Sequence, residues 1–230
     1  MAGYMPYNGP ICVAMILSNK TWMIVLFNWL NQSQNALVNY CNRNASSSTP
    51  LATLVRSYCA AVGTALVIGL GLSTAIKIRF PPAAASTISK FVAFPTAMAS
   101  SALNCYMMRA PEISAGITVR DSAGNAVGGD HVRSATAAAK AVRETVLSRL
   151  LLQVPVFLLP TLVMALPFVK KVPPKWALPL RMLVLMLGFG YGLPLTIAAF
   201  PQTGRIQTRQ LEPHFQQATT EPVLFYNKGL

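Results

Sequence analysis

Five apolar runs alternate with polar connections along the chain. They cover about Thr21–Tyr40, Tyr58–Ile76, Phe91–Met108, Val146–Val169 and Ala177–Phe200. Each is about 20 residues long, the length a helix needs to cross the hydrocarbon of a bilayer. The pattern predicts an all-α membrane protein with about five transmembrane helices. A segment over 1–20 precedes the membrane domain of 21–200, and a polar tail over 201–230 follows it. The second run, "YCAAVGTALVIGLGLSTAI", is rich in Gly, Ala and Thr, which suits close helix packing in lipid.

The long polar segment lies between runs three and four. In "GITVRDSAGNAVGG", Ile117 and Val119 alternate, "DSAGN" turns and Val127 returns, which predicts a small hairpin. In the stretch that follows, Val132, Ala135, Ala139, Val142, Val146 and Leu150 recur at three and four. That spacing predicts an amphipathic helix leading into the fourth span, either at the membrane interface or packed on the bundle.

Composition supports the membrane reading. Of 230 residues, 53% are hydrophobic and 11% charged, against about 25% charged in a typical soluble domain. Lys and Arg number 19 against 6 Asp and Glu, for a net charge of +13. The cations fall in short clusters between apolar runs ("KIR", "VKKVPPK", "RIQTR") without interleaved aromatics. They suit headgroups, including an anionic lipid such as cardiolipin, and not nucleic acid. No acid lies mid-span as a proton relay requires. Counting cations by side gives no orientation. The N-terminus has neither a basic n-region nor an Arg-rich amphipathic pattern, so organelle targeting is expected to be internal.

The first run carries the strongest candidate chemistry. On a helix of about 100° per residue, Asn28, Asn31, Asn35, Asn39 and Asn42 of "NWLNQSQNALVNYCNRN" fall within an arc of roughly 80°, with Gln32 beside it. Such a stripe cannot face lipid without leaving amides unsatisfied. It either lines a path for an uncharged or zwitterionic solute or joins helices by hydrogen bonds. Pro155 and Pro160 in the fourth run, and Pro194 in the fifth, each remove a backbone donor. They mark helix breaks that permit gating, or static kinks. Arg109 and Arg149 sit at span ends, placed to hold a carboxylate or to snorkel to headgroups. Asn104 lies just inside Arg109.

Enzyme and metal readings find no support. The histidines are His131 and His214, in separate loops, and HExxH, GxSxG and Walker A sequences are absent. Cys12, Cys41, Cys59 and Cys105 are dispersed and form no CxxC. No cofactor is expected.

Several stretches together resemble the sideroflexins, multi-span proteins of the mitochondrial inner membrane. They are "NQSQNALVNYCNRNA", "LNCYMMRAPEISAGITVRDSAGNAVG", "VLSRLLLQVPVFLLP", "LPLTIAAFPQ" and "LFYNKGL". The resemblance runs in register from about residue 10 to the end. It implies carriage of serine or another small neutral amino acid by alternating access, in support of one-carbon metabolism. The residues expected to line the path are Asn31, Asn35, Asn39, Asn42 and Asn104, with Arg109 or Arg149 on the carboxylate. The chain departs from the family pattern in lacking an N-terminal HPDTGE motif, in Ser101 where an Asn is usual, and in Thr161 where a Pro is usual. These departures motivate an alternative, a non-transporting subunit of a larger inner-membrane complex.

Overall fold

The computed structural model describes residues 4–18, 20–41, 51–129, 131–167 and 169–228. These form two compact units. One comprises Met1–Asn104 with Arg149–Thr196, and the other Cys105–Ser148 with Ile197–Leu230.

The first unit is a helical bundle. It holds α1 (Tyr4–Leu17), α2 (Thr21–Cys41), α3 (Leu51–Arg79), the short α4 (Pro82–Ile88) and the first half of α5 (Ala93–Ala115). It also holds the end of α6 (Ala135–Gln153), a π-helical turn over Val154–Leu158, α7 (Leu159–Ala165) and nearly all of α8 (Pro174–Ala199). Among the described residues, three stretches are long and apolar enough to cross a membrane: Leu51–Arg79, Ala135–Ala165, which begins in the second unit, and Pro174–Thr196. Their outer faces carry exposed Val67, Ile78, Leu183 and Leu195, as lipid-facing surfaces do. At 1.5 Å per residue, α2 and α5 are also long enough, but their amides and hydroxyls hold them below the same apolarity. The five expected spans thus resolve into three strongly apolar helices and two polar ones.

Small residues set how closely the bundle packs. On α3, Ser57, Ala61, Ala65, Gly69 and Ser73 are buried at every fourth position, which lets α2 approach its backbone. The apolar core is built from Cys12, Val13, Met15 and Ile16 of α1, Ala93 and Ala97 of α5, Val156 and Phe157 of the π-turn, and Leu185 and Phe189 of α8. The N-terminal segment preceding the expected membrane domain thus supplies a core helix, and that helix accommodates Pro10 within its length.

The second unit contains a three-stranded antiparallel sheet of order β1-β3-β2, from β1 (Val119–Arg120), β2 (Thr203–Gln207) and β3 (Val223–Asn227). Val119 pairs with Tyr226 and Arg205 with Phe225. The expected turn forms after β1. Asn125 N–H donates to Asp121 Oδ1 (2.7 Å), and this bond holds the Asp121 carboxyl below its ordinary range. Val127 N–H donates to the Val119 carbonyl (3.0 Å).

The stretch expected as a polar tail supplies two of the three strands and α9 (Pro213–Ala218). Its alternation is visible in burial: Gly204 and Ile206 point inward along β2, Leu224 and Tyr226 along β3. They close a core with Val119, Ala137, Ala141, Leu211 and Phe215. The buried face of α6 also differs from expectation. It is Ala137, Ala138, Ala141, Val142, Thr145 and Ser148, while Ala135 and Ala139 are exposed. Alanine occurs on several faces of this helix, so its spacing alone does not mark the packed one.

The start of α6 is held by side chains. Ser134 Oγ accepts from Ala137 N–H (2.9 Å) and donates to Glu212 Oε2 (2.7 Å), while Thr136 N–H donates to Glu212 Oε1 (3.0 Å). This is an N-cap extended by an acid. Partial burial pushes the Glu212 carboxyl up. The backbone N–H groups of Thr136 and of Glu212 itself, with the hydroxyls of Ser134 and Thr136, outweigh that and lower it to about 2.

Candidate functional site

The amide stripe of α2 is turned into the bundle. Asn28, Asn31 and Gln32 are buried, and Asn35 is half-buried. Each buried amide has a definite neighbour. Asn28 Nδ2 donates to the Ile24 carbonyl one turn back (2.8 Å). Gln32 Nε2 donates to Ser100 Oγ on α5 (2.9 Å). The Cys12 thiol of α1 is 4.0 Å from Asn31 Oδ1. Beside the stripe, Ser33 Oγ and Tyr58 Oη share a hydrogen bond of 2.9 Å between α2 and α3.

Two acceptors stand out. Asn28 Oδ1 and Gln32 Oε1 are buried with no hydrogen-bond partner among the described residues. Exchanging O and N in either amide would not remove the deficit, because the nitrogen already makes a good bond from its present place. A buried acceptor left unmatched costs about 1–3 kcal/mol, so these oxygens call for a donor that the described residues do not supply. Beside Asn28 lies a cavity of about 10 Å³, lined also by Ser18, Gly69, Ser73 and Thr96. That is room for about one water.

Asn104, buried on α5, belongs to the same unit. On that helix Thr96 and Ser100 are buried with it, two turns and one turn before. Their hydroxyls donate to backbone carbonyls: Thr96 Oγ1 to Val92 (2.8 Å) and Ser100 Oγ to Thr96 (2.9 Å). Ser100 therefore uses its proton on the backbone and accepts from Gln32. Asn39 falls within the backbone of α2, and Asn42 lies outside the described residues.

The two arginines part company. Arg149 is half-buried at the start of the first unit's second segment. Arg109 belongs to the second unit, where its guanidinium is already taken. Nε donates to Glu112 Oε1 (3.0 Å), Nη2 to Glu112 Oε2 (2.6 Å) and Nη1 to Thr145 Oγ1 (2.5 Å). Of the two arginines offered for a solute carboxylate, Arg109 here holds the Glu112 carboxylate in a bidentate pair and braces α5 to α6.

The prolines also separate. Pro155 lies in the π-turn and Pro160 is buried in α7. A proline cannot donate to the carbonyl four residues back, and here the helix responds by widening to a π-turn rather than breaking. Opposite it on α8 are Gly188 and Gly192. A Cβ on Gly188 would run into the Pro155 carbonyl oxygen, and one on Gly192 into the Pro155 ring. Gly190 between them faces open space. Pro194 is exposed, and α8 continues through it to Ala199. The expected break in the fifth run is therefore absent, and the distinctive feature there is the glycine pair. Its Gly-x-x-x-Gly spacing was legible; its target was not.

Comparison with known proteins agrees with the resemblance in the letters. The family model described as Sideroflexins matches residues 1–230. Sideroflexin-5 of Homo sapiens is 40% identical over 236 residues, covering 100% of this chain and 68% of the relative. Sideroflexin-5 of Caenorhabditis elegans is 38% identical, covering 100% and 70%. Sideroflexin-3 of Homo sapiens is 33% identical, covering 100% and 72%. No solved structure matches the chain significantly. With its whole length matched and its helices suited to a multi-pass membrane protein, the chain belongs to the sideroflexin family.

Proposed function

We propose that this protein is a carrier of the mitochondrial inner membrane that moves a small neutral amino acid, with serine the foremost candidate, by alternating access. The observation that carries the reading is the pair of buried, unmatched oxygens on α2, Asn28 Oδ1 and Gln32 Oε1. A solute bearing an ammonium or hydroxyl group brings the donors they lack. A group that only accepts, such as a carboxylate, does not. The stripe therefore reads the donor end of the solute, with Asn31, Asn35 and Asn104 on the same polar lining. The closed packing around Gln32 and Ser100 corresponds to an occluded form. Opening uses the π-turn at Pro155, where the backbone is already held outside α-helical geometry and π-turns often mark functional sites.

The test is uptake of radiolabelled serine by liposomes containing the purified, folded chain. Saturable uptake above empty vesicles is expected. Uptake no greater than empty vesicles, with helicity and thermal melting intact, would overturn the carrier reading.

A second reading, a non-transporting membrane subunit, draws on a different observation. The cavity beside the stripe admits about one water, as it would if the amides served only to join helices. That reading predicts migration within a larger native complex together with absent uptake.

A further inference from the structure

We propose that the second unit carries a phosphate-binding cleft, separate from the amide stripe and independent of what the bundle carries. The cleft measures about 490 Å³, within the range of small-molecule sites. Its walls include Glu144 of α6, Thr203, Gly204 and Arg205 of β2, Phe225 of β3 and Lys228 just beyond β3.

Charge selects the class of ligand. Lys228 is 6% exposed, and its ammonium pairs with Glu144 at 2.9 Å. Arg205 is exposed and has no acidic partner among the described residues; its guanidinium lies 5.8 Å from the Phe225 ring centroid. Lys140 Nζ donates to the Arg205 carbonyl oxygen (2.6 Å), which brings a third cation to the same strand. On the lining itself Arg205 and Lys228 meet one carboxylate; Glu144 neutralises Lys228 and leaves Arg205 free, with Lys140 adjoining from outside the cleft. The surplus favours an anion. An Arg fork beside a Lys point charge suits a phosphate, whose several oxygens engage both. The pair at the base is braced: Lys228 N–H donates to the Gln202 carbonyl (2.8 Å), and Thr145 Oγ1 donates to the Lys228 carbonyl (3.3 Å). A Cβ on Gly204 would strike the Tyr226 ring, so glycine lets β2 close over that ring. The cleft is therefore a framed pocket and not a loose set of surface cations.

The phosphate has two possible sources. One is a soluble phosphate ester. The other is an anionic phospholipid headgroup, since the cleft residues begin directly after the apolar helix α8 ends at Ala199.

The experiment uses the full chain in a neutral detergent and follows its thermal melting. Sodium phosphate is titrated against sodium chloride at matched ionic strength. In a parallel series, short-chain phosphatidic acid is titrated against phosphatidylcholine. A saturable rise in melting temperature is expected in at least one series. A response to phosphate identifies the soluble ligand, and a response to phosphatidic acid alone identifies the headgroup. Arg205→Gln should weaken the midpoint by about tenfold or more, the loss expected for a charge-assisted fork. Arg209→Gln, outside the cleft, should leave it unchanged. The proposal is overturned if neither series exceeds its control, or if Arg205→Gln binds as the parent does.

Discussion

The two units use polar side chains differently. In the second, acids at and near the surface are tied to hydroxyls and a cation: Glu212 to Ser134 and Thr136, Glu112 to Arg109, Glu221 Oε1 to the Ser122 hydroxyl at 2.7 Å, while the Tyr226 hydroxyl is buried without a hydrogen-bond partner among the described residues. In the first, two amides keep their oxygens unmatched inside the bundle. A small sheet domain uses polar networks to fix one structure. A membrane bundle that leaves acceptors open holds capacity for something that arrives later.

The contrast can be broken most severely at the glycines. Gly188→Val or Gly192→Val should destabilise the bundle by ~3 kcal/mol or more, because the added atoms meet backbone or a proline ring that cannot yield. Melting in detergent and protease resistance report this. Gly190→Ala, facing open space, is the matched control and should stay within about 0.5 kcal/mol of the parent.

Next come the open acceptors. Asn28→Leu and Gln32→Leu should reduce serine uptake by about tenfold or more, equivalent to ~1.4 kcal/mol. Melting should be unchanged or raised, since an unmatched buried oxygen is removed. A fall in melting with uptake preserved would make both residues helix glue and would end the contrast between the units.

Smaller effects belong to the second unit. Ser134→Ala should cost ~1 kcal/mol through loss of the α6 cap, read by hydrogen exchange at Ala137. Glu212 titrates at about 2 when folded, below its ordinary 4.5. Its contribution is therefore complete above about 4.5, fades as pH falls and is gone below about 2. Glu212→Gln should flatten that acid limb of the stability curve. Smallest of all, Arg109→Gln should lower stability by about 1 kcal/mol with the KM for serine unchanged. A tenfold rise in KM at unchanged melting would return Arg109 to the solute.

Much of this was legible in the letters, for physical reasons. Long apolar runs forecast α3 and α8 because lipid demands length and apolarity together. The amide stripe of α2 was visible because helical phase is fixed by spacing, and the turn after β1 because Asp121, Gly124 and Asn125 carry its chemistry. What escaped depended on partners far along the chain. "TGRIQ" and "VLFYN" alternate, but each is too short to announce a strand without its neighbour. "YNGPICVAMIL" is core because α5 and α8 cover it, a fact its own letters do not contain. In α6 alanine pointed several ways, and the packed face was chosen by Phe215 and the sheet. Pro155 signalled an irregularity, but only Gly188 and Gly192 show that the widened turn is gripped.

The sheet order β1-β3-β2 has a consequence for biogenesis. The strand made last lies between the two made earlier, and neither of those pairs with the other. The sheet cannot assemble until β3 is available. The two outer strands thus have no sheet partner until Val223–Asn227 is in place, so a chain truncated before Val223 would leave β1 and β2 without one.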